Sequence, residues 1–418
     1  MVGQIAVYTL LGAALLLSVP AASHTGLSTW GSLAASSMAF VAMALNQFLA
    51  TRQKWMEGFF GGLDRMYRTH KNLGKIALAL ILVHYFVTPN FKGQILTGGL
   101  NSLAKDAATI GFWSLIVLIG LSLFKKIPFT KIELPYHLWR QSHRFIGVAF
   151  LFLAFHQMFI KRPFDATASL ALYLNAFAIL GVVSFLYTQL APFARRKLYK
   201  IISADRQGDV TLLKAEPARG SVSSKAGQFA VINFKRSGLK EPHPFTISGR
   251  QENGELSFAI KASGDFTRRL HETVESGDIA QIEGGYGRFD FDKKSENQIW
   301  LAGGIGITPF LAMAEELGNE LASNICLVHC VRDSSEAVGS AQLSATANQV
   351  ANFSYVMFAS SEEGRMDAEK LQERVGFDLD GAAMMFCGPP PLRSAIIGGL
   401  KAMNKKLASV KYELFEFR

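Results

Sequence analysis

The sequence predicts a multidomain membrane protein: a six-helix, all-α transmembrane bundle, then an antiparallel β-barrel, then an α/β nucleotide-binding domain. Three observations predict it. Apolar residues gather into six runs within about the first 190 of 418 positions. From about residue 196 to about 293 the chain turns to short alternating segments separated by Gly, Ser and Asn. After 296, strand-like and helix-like segments alternate. The domain boundaries expected are 1–194, 195–294 and 295–418.

Composition agrees with the first observation. Hydrophobic residues make up 49% of the chain and charged residues 18%, an excess and a deficit for a soluble protein. The net charge of +10 could serve nucleic acid, but the positive residues flank the apolar runs. That pattern faces anionic lipid, so no nucleic-acid partner is expected. Cys326, Cys330 and Cys387 form no Cys-x-x-Cys pair, which excludes an iron–sulfur or zinc-ribbon reading and leaves reduced core cysteines.

The spans fall at about 4–20, 33–50, 73–88, 108–124, 145–160 and 168–191, several near the short limit for a hydrocarbon core of about 30 Å. The first run ends in VPAAS like a cleavable leader, yet no Lys or Arg precedes it, so an uncleaved helix is expected. Arg52, Lys54, Arg65, Arg68 and Lys71 fill one loop region, Lys125, Lys126, Lys131, Arg140 and Arg144 another, and Arg195, Arg196 and Lys197 follow the last span. The alternate loops hold only Lys92, Lys105, Lys161 and Arg162. Positive charge stays inside, so the N-terminus and everything after 194 are expected in the cytoplasm of a bacterial inner membrane protein.

Four of nine histidines lie in or at the lip of two spans: His70 and His84, His143 and His156. Ionisable groups in lipid are costly and usually have a task. His70 and His84 are separated by about 21 Å along a helix and by roughly 40° around it. His143 and His156 are separated by about 19.5 Å and roughly 140°. Both helices run the same way, so the pairs match in depth: His70 with His143 near the cytoplasm, His84 with His156 near the outside. Imidazole is a good axial ligand for haem iron, which takes two. Two haems stacked through the bilayer are therefore expected. The 140° offset calls for a bulge, a kink or rings reaching from different sides, and a local irregularity between Arg144 and Phe155 is predicted. His24 and His137 lack matching partners and are read as non-ligands.

In the second half, HPFTISG at 243–249 should be an edge or strand start, because Pro244 cannot donate to a ladder. KASGDFTRRL at 261–270 runs from a strand through Gly264 into a helix that Asp265 would cap, with N–H groups suited to phosphate. QIWLAGGIGITPFLAMAEEL reads as strand, Gly-rich turn and helix, with Gly303, Gly304 and Gly306 admitting a phosphorylated ligand, Thr308 as cap and Pro309 in the first turn. The GxGxxG spacing is absent. Strands NICLVHCVRD, NFSYVMFAS and AAMMFCGPP follow, as in a doubly wound parallel sheet.

These segments resemble the ferredoxin–NADP reductase superfamily, and with the haem bundle in front the chain resembles a bacterial NADPH oxidase of the ferric-reductase-like membrane family. The resemblance rests on HPFTIS (243–248), GGIGITPF (303–310), CGPPP (387–391), YELFEFR (412–418) and the two histidine spacings. It implies that His243, Pro244, Phe245 and Thr246 line the FAD isoalloxazine, with Thr246 near the reactive nitrogen. It implies that Lys261, Ser263, Gly264 and Thr267 surround the FAD ribityl and pyrophosphate. Gly304, Gly306 and Thr308 would hold the nicotinamide nucleotide phosphates, Arg332 the NADPH 2′-phosphate, and Cys387 and Gly388 would sit by the nicotinamide. Phe417 would stack on the flavin and yield to the nicotinamide. Soluble reductases carry Arg-x-Tyr-Ser where this chain has His243-Pro244-Phe245-Thr246; the departure matches the oxidase branch. The function so implied is electron transfer from cytoplasmic NADPH, with NADH as the alternative donor, through FAD and two b-type haems to an outside acceptor. O2 giving superoxide leads, and a ferric chelate is the alternative. No regulatory extension is visible in the sequence, so no obligatory protein partner is expected.

Overall fold

The computed structural model describes residues 2–87, 99–123, 136–290, 295–318 and 320–413. Two compact units divide the chain, the first ending at Ala194 and the second beginning at Arg195.

The first unit is helical: α1 (Val2–Ala22), α2 (Leu27–Ala50), α3 (Lys54–Phe60), α4 (Leu63–Phe86), α5 (Asn101–Leu123), α6 (Tyr136–Phe159) and α7 (Ser169–Arg195). Six long helices cover the six apolar runs, and the short α3 occupies the first basic loop. Among the described residues, α1, α2, α5 and α7 are long and apolar enough to cross a membrane on composition alone. α4 and α6 fall short because each carries two of the four histidines and a basic first half. Exposed Leu16, Trp113, Val117, Ile179, Val183 and Leu186 form the kind of outer surface that lipid covers and water would not tolerate.

Small residues let these helices approach. A Cβ on Gly181 would lie 2.4 Å from Phe150 and 3.2 Å from the Ala44 Cα, and one on Gly147 would lie 2.1 Å from Phe185. Phe40 and Phe150 stack at 5.4 Å, tying α2 to α6. The packing is uneven. α4 lies chiefly along α2, and α6 chiefly along α5, while α4 and α6 make little backbone contact with each other.

The expected irregularity between Arg144 and Phe155 is not found: α6 is an unbroken α-helix. The remaining option, rings reaching from different sides of a regular helix, accounts for the 13-residue spacing.

The second unit starts with a closed antiparallel barrel of β1 (Lys197–Gln207), β2 (Val210–Arg219), β3 (Phe229–Phe234), β4 (His243–Arg250), β5 (Leu256–Lys261) and β6 (Ile279–Tyr286), in the order β1-β2-β5-β4-β3-β6. Helix α8 (Asp265–Thr273) is inserted after β5. Alternation sends Tyr199, Ile201, Ile232, Phe234, Ile247, Phe258 and Ile282 inward as one core. The buried Tyr199 hydroxyl accepts the Val222 N–H at 2.8 Å.

Then come β7 (Asn297–Gly303), α9 (Thr308–Ala314), β8 (Asn324–Val331), α10 (Ser340–Gln349), β9 (Phe353–Ala359), α11 (Ser360–Glu363), α12 (Ala368–Arg374), β10 (Ala383–Cys387), α13 (Pro390–Ala402) and β11 (Ser409–Tyr412). The sheet is parallel, ordered β11-β10-β7-β8-β9. Its strands are nearly continuous apolar runs because helices cover both faces. The chain leaves the central β7 in one direction and returns on its other side with β10, so strand order reverses between these two. Open α/β sheets bind ligands in the crevice at that switch point, beyond the strands' carboxyl ends. A shared core joins barrel and sheet, with Ala259 and Phe289 packed among Trp300, Phe310 and Met313.

Candidate functional site

The helical unit brings its four histidines into two facing sets. The His70 and His143 rings have centroids 6.0 Å apart, and His84 and His156 interact electrostatically. Each ring is held from behind. Nδ1 of His84 lies 2.9 Å from the Ser32 hydroxyl and 3.1 Å from the Ser32 carbonyl. His70 bonds the backbone of Asn46, whose amide in turn donates to the His70 carbonyl at 3.1 Å and accepts the Gly74 N–H at 3.0 Å. Ser32 and Asn46 on α2 are spaced as His84 and His70 are on α4, in antiparallel register. On the other side, Nδ1 of His143 lies 2.9 Å from the Ser122 hydroxyl and Nδ1 of His156 lies 3.0 Å from the Ala104 carbonyl. Both partners are on α5, five helical turns apart, against a 13-residue histidine spacing. That difference is how a straight α6 presents two rings from different sides.

The arrangement fits haem. Two imidazoles ligating one iron, each nitrogen about 2 Å from it, have ring centres about 6 Å apart, and His70 and His143 stand at that separation. A carbonyl behind Nδ1 fixes the proton there and leaves Nε2 as the free lone pair, the arrangement metal-binding histidines adopt. Among the described residues no group of three or more His, Cys, Asp or Glu forms a conventional metal cluster, so the pairs stand as pairs.

In the second unit, β4 is the hinge of the candidate flavin site. Residues 243–246 pair with β3 only, Ile232 opposite His243 and Phe229 opposite Thr246, while β5 joins from Ile247 onward. Pro244 thus sits at a strand start with an open side, and His243, Pro244 and Phe245 are half-exposed there while Thr246 is buried. The His243 ring lies 3.9 Å from that of Phe266 on α8, which brings the HPFT segment against the 261–267 segment. In that second segment the Thr267 hydroxyl accepts the N–H groups of Ser263 (3.0 Å) and Gly264 (2.8 Å). Gly264, not Asp265, is the N-cap residue; the Asp265 carboxylate accepts the adjacent Phe266 N–H. Lys261 pairs with Asp209 at 3.2 Å and with Glu336 at 3.5 Å, tying the barrel to the α/β domain.

At the switch point the two Gly-bearing turns meet backbone to backbone. A Cβ on Gly306 would lie 2.1 Å from the Cys387 carbonyl, and one on Gly388 would lie 2.9 Å from the Gly303 Cα. Gly304, at φ 54°, points instead into open space. Thr308 is the first residue of α9 and donates its hydroxyl back to the Ile305 carbonyl (3.2 Å) rather than capping. Arg332 is exposed just past β8. Phe417 lies outside the described residues.

Two residues beside these turns carry no mark in the sequence. His329 is fully buried on β8, and its Nε2–H donates to the Gly304 carbonyl at 2.9 Å, with Nδ1 3.4 Å from the Tyr355 hydroxyl. Burial pushes its imidazole down to about 4, so it is neutral at physiological pH. Glu413 lies near Cys387, and burial together with that carboxylate pushes the Cys387 thiol well above its ordinary value. Burial raises Cys326 and takes Cys330 up to about 12.

Three segments match known families in chain order: residues 35–154 the ferric reductase like transmembrane component, residues 195–299 an FAD-binding domain and residues 300–397 an oxidoreductase NAD-binding domain. The chain is 26% identical over 199 residues to the toluate 1,2-dioxygenase electron transfer component of Pseudomonas putida, covering 45% of this chain and 58% of that protein. It is 26% identical over 145 residues to NADPH oxidase 1 of Mus musculus, covering 33% of this chain and 24% of that one. It thus spans less than two thirds of these relatives. A flavohemoglobin from Malassezia yamatoensis, solved with bound FAD and heme, superposes with a TM-score of 0.51 at 17% identity, over 94% of this chain and 99% of that one. This last is a likeness of fold.

Proposed function

With a ferric-reductase-like transmembrane component followed by FAD-binding and NAD-binding domains, this is an oxidoreductase of NADPH-oxidase-like architecture, and we propose that it moves electrons from cytoplasmic NADPH through FAD and two b-type haems to O2 on the far side of the membrane, releasing superoxide. The observation that carries the reading is the pair of facing imidazoles His70 and His143, 6.0 Å apart, each backed by a protein hydrogen bond.

The groups would supply familiar chemistry: flavin takes two electrons as a hydride and releases them singly, and haem iron takes one. The chain's part is to position them. His70 and His143 would hold the inner haem, His84 and His156 the outer. Each haem would be held by two imidazoles and would supply one-electron transfer to an acceptor outside the histidine pair. The half-exposed His243, Pro244 and Phe245 with Thr246 would line the flavin, and Ser263, Gly264 and Thr267 its phosphates. Lys261 would join them by loosening one of its two carboxylate partners. The turn at Gly303–Gly306, with Thr308 behind it, and the Cys387–Gly388 backbone would form the nicotinamide nucleotide's crevice. Arg332 would meet a 2′-phosphate and Phe417 would cover the flavin. The buried, protonated Cys387 would shape the hydride path without acting as a nucleophile.

One observation favours ferric chelate as a second acceptor. Arg162, in the loop after α6, holds its guanidinium 5.7 Å from the Phe164 ring and half-buried, a cation close in sequence to His156. The two acceptors separate by rate: superoxide-dismutase-sensitive cytochrome c reduction in air, beside ferric chelate reduction under anoxia. Dominance of the anoxic chelate rate would replace O2 as the acceptor. A reduced-minus-oxidised spectrum of the purified chain should show about two b-type haems, and absence of that signal removes the whole proposal.

A further inference from the structure

We propose that Ser122 is a positioning residue that fixes the tautomer of His143 and holds down the redox potential of the inner haem; the inference rests on the two-haem reading above. Three of the four histidines lean on main-chain atoms: His70 on Asn46, His84 on the Ser32 carbonyl as well as its hydroxyl, and His156 on the Ala104 carbonyl. No substitution of those partners removes a carbonyl. His143 differs, because its Nδ1 rests on the Ser122 hydroxyl at 2.9 Å.

The distances favour one direction for that bond. A serine hydroxyl has one proton, and that of Ser122 goes to the Leu118 carbonyl at 2.7 Å. Toward His143 the oxygen is therefore an acceptor, Nδ1 carries the hydrogen, and Nε2 keeps its lone pair. Trp139 reinforces the pose. Its ring stacks on His143 at 5.3 Å and 18°, and its Nε1–H reaches the Ser122 carbonyl at 3.4 Å. One serine thus orients both the ligand and the ring stacked against it.

An acceptor behind Nδ1–H makes the opposite nitrogen a stronger donor to metal, and such outer partners tune the metal they never touch. Stronger donation favours ferric over ferrous iron, so Ser122 would keep the inner haem reducing enough to pass its electron outward. Without the hydroxyl, the Nδ1–H is stranded in an apolar bundle.

The test is a spectroelectrochemical titration of the purified full chain, comparing Ser122→Ala, Ser122→Thr and Ser32→Ala. Ser122→Ala should shift one of the two midpoints to a more positive value, Ser122→Thr should restore it, and Ser32→Ala, which keeps its carbonyl, should move the midpoints less. Loss of one haem equivalent in Ser122→Ala with recovery in Ser122→Thr also supports the role. Two haems with unmoved midpoints in Ser122→Ala would overturn it, as would haem loss that Thr fails to rescue. A haem-free unmutated protein is a different failure, that of the two-haem reading itself.

Discussion

His329 shows how a single side chain can brace a glycine turn from behind. Gly304 holds a left-handed backbone at φ 54°, and its carbonyl would float without the imidazole donor 2.9 Å away. Leaving a buried carbonyl unsatisfied costs about 1–3 kcal/mol. His329→Leu should therefore raise KM for NADPH by roughly 5- to 150-fold, since 1.4 kcal/mol is a factor of ten. The maximal rate of flavin reduction should change far less, and a stopped-flow concentration series separates the two. Titration adds a second consequence. His329 ionises near 4 in the folded chain against 6.5 ordinarily, so between those values the unfolded state binds more protons. Stability is then undiminished above pH 6.5 and falls as pH drops toward 4, by about 3 kcal/mol in all. Thermal unfolding of the full chain at pH 7 and pH 4.5 should reveal the drop, and His329→Gln should reduce it. Nothing in NICLVHC marked this residue. It sits in an apolar strand like its neighbours, and its partner is 25 positions away, reached only because β7 and β8 lie side by side in parallel.

Elements explain which glycines are needed and why. In sequence, Gly303, Gly304 and Gly306 suggest room for a phosphate. Two of them also make room for the chain itself, because the β7 and β10 turns pack backbone on backbone at the switch point. Gly306→Ala would set a Cβ 2.1 Å from the Cys387 carbonyl and push the turns apart, so it should destabilise by about 1–3 kcal/mol. It should also abolish NADPH-driven flavin reduction. Gly304→Ala faces open space and should lower the melting temperature less, with the strain of a left-handed alanine, about 1–2 kcal/mol. Melting curves of the two variants rank them, and the reverse order would refute the packing argument. The β4 strand start was legible, because proline forbids a ladder bond on sight. The caps were not: whether Asp265 or Gly264 ends the loop, and which way the Thr308 hydroxyl turns, depend on dihedrals that residue type only biases. Likewise the 13-residue histidine spacing was legible as a difficulty, while its resolution lay in where α5 offers acceptors.

Across the whole molecule, the helices least like membrane spans are the ones assigned the most specific task. α4 and α6 carry polar cost because α2 and α5 take up their hydrogen bonds. Replacing His70 or His143 by Leu should remove one haem equivalent and stop transmembrane reduction, yet leave NADPH-driven reduction of bound flavin within about twofold, since hydride transfer to flavin precedes any electron reaching a haem. Pyridine haemochrome content beside flavin absorbance would check this, and retention of both haems would defeat the ligand assignment.

The depth at which the three thiols lie carries a last implication. If dioxygen is the acceptor, as proposed, the protein would work amid peroxide, and peroxide attacks sulfur as thiolate. Cys326 and Cys387 are sealed in the sheet, and Cys330, ionising near 12, would be thiolate in fewer than roughly one copy in ten thousand at neutral pH. Such a protein would outlast its own exhaust: after prolonged turnover, unfolding should release all three sulfhydryls still able to react with a thiol reagent.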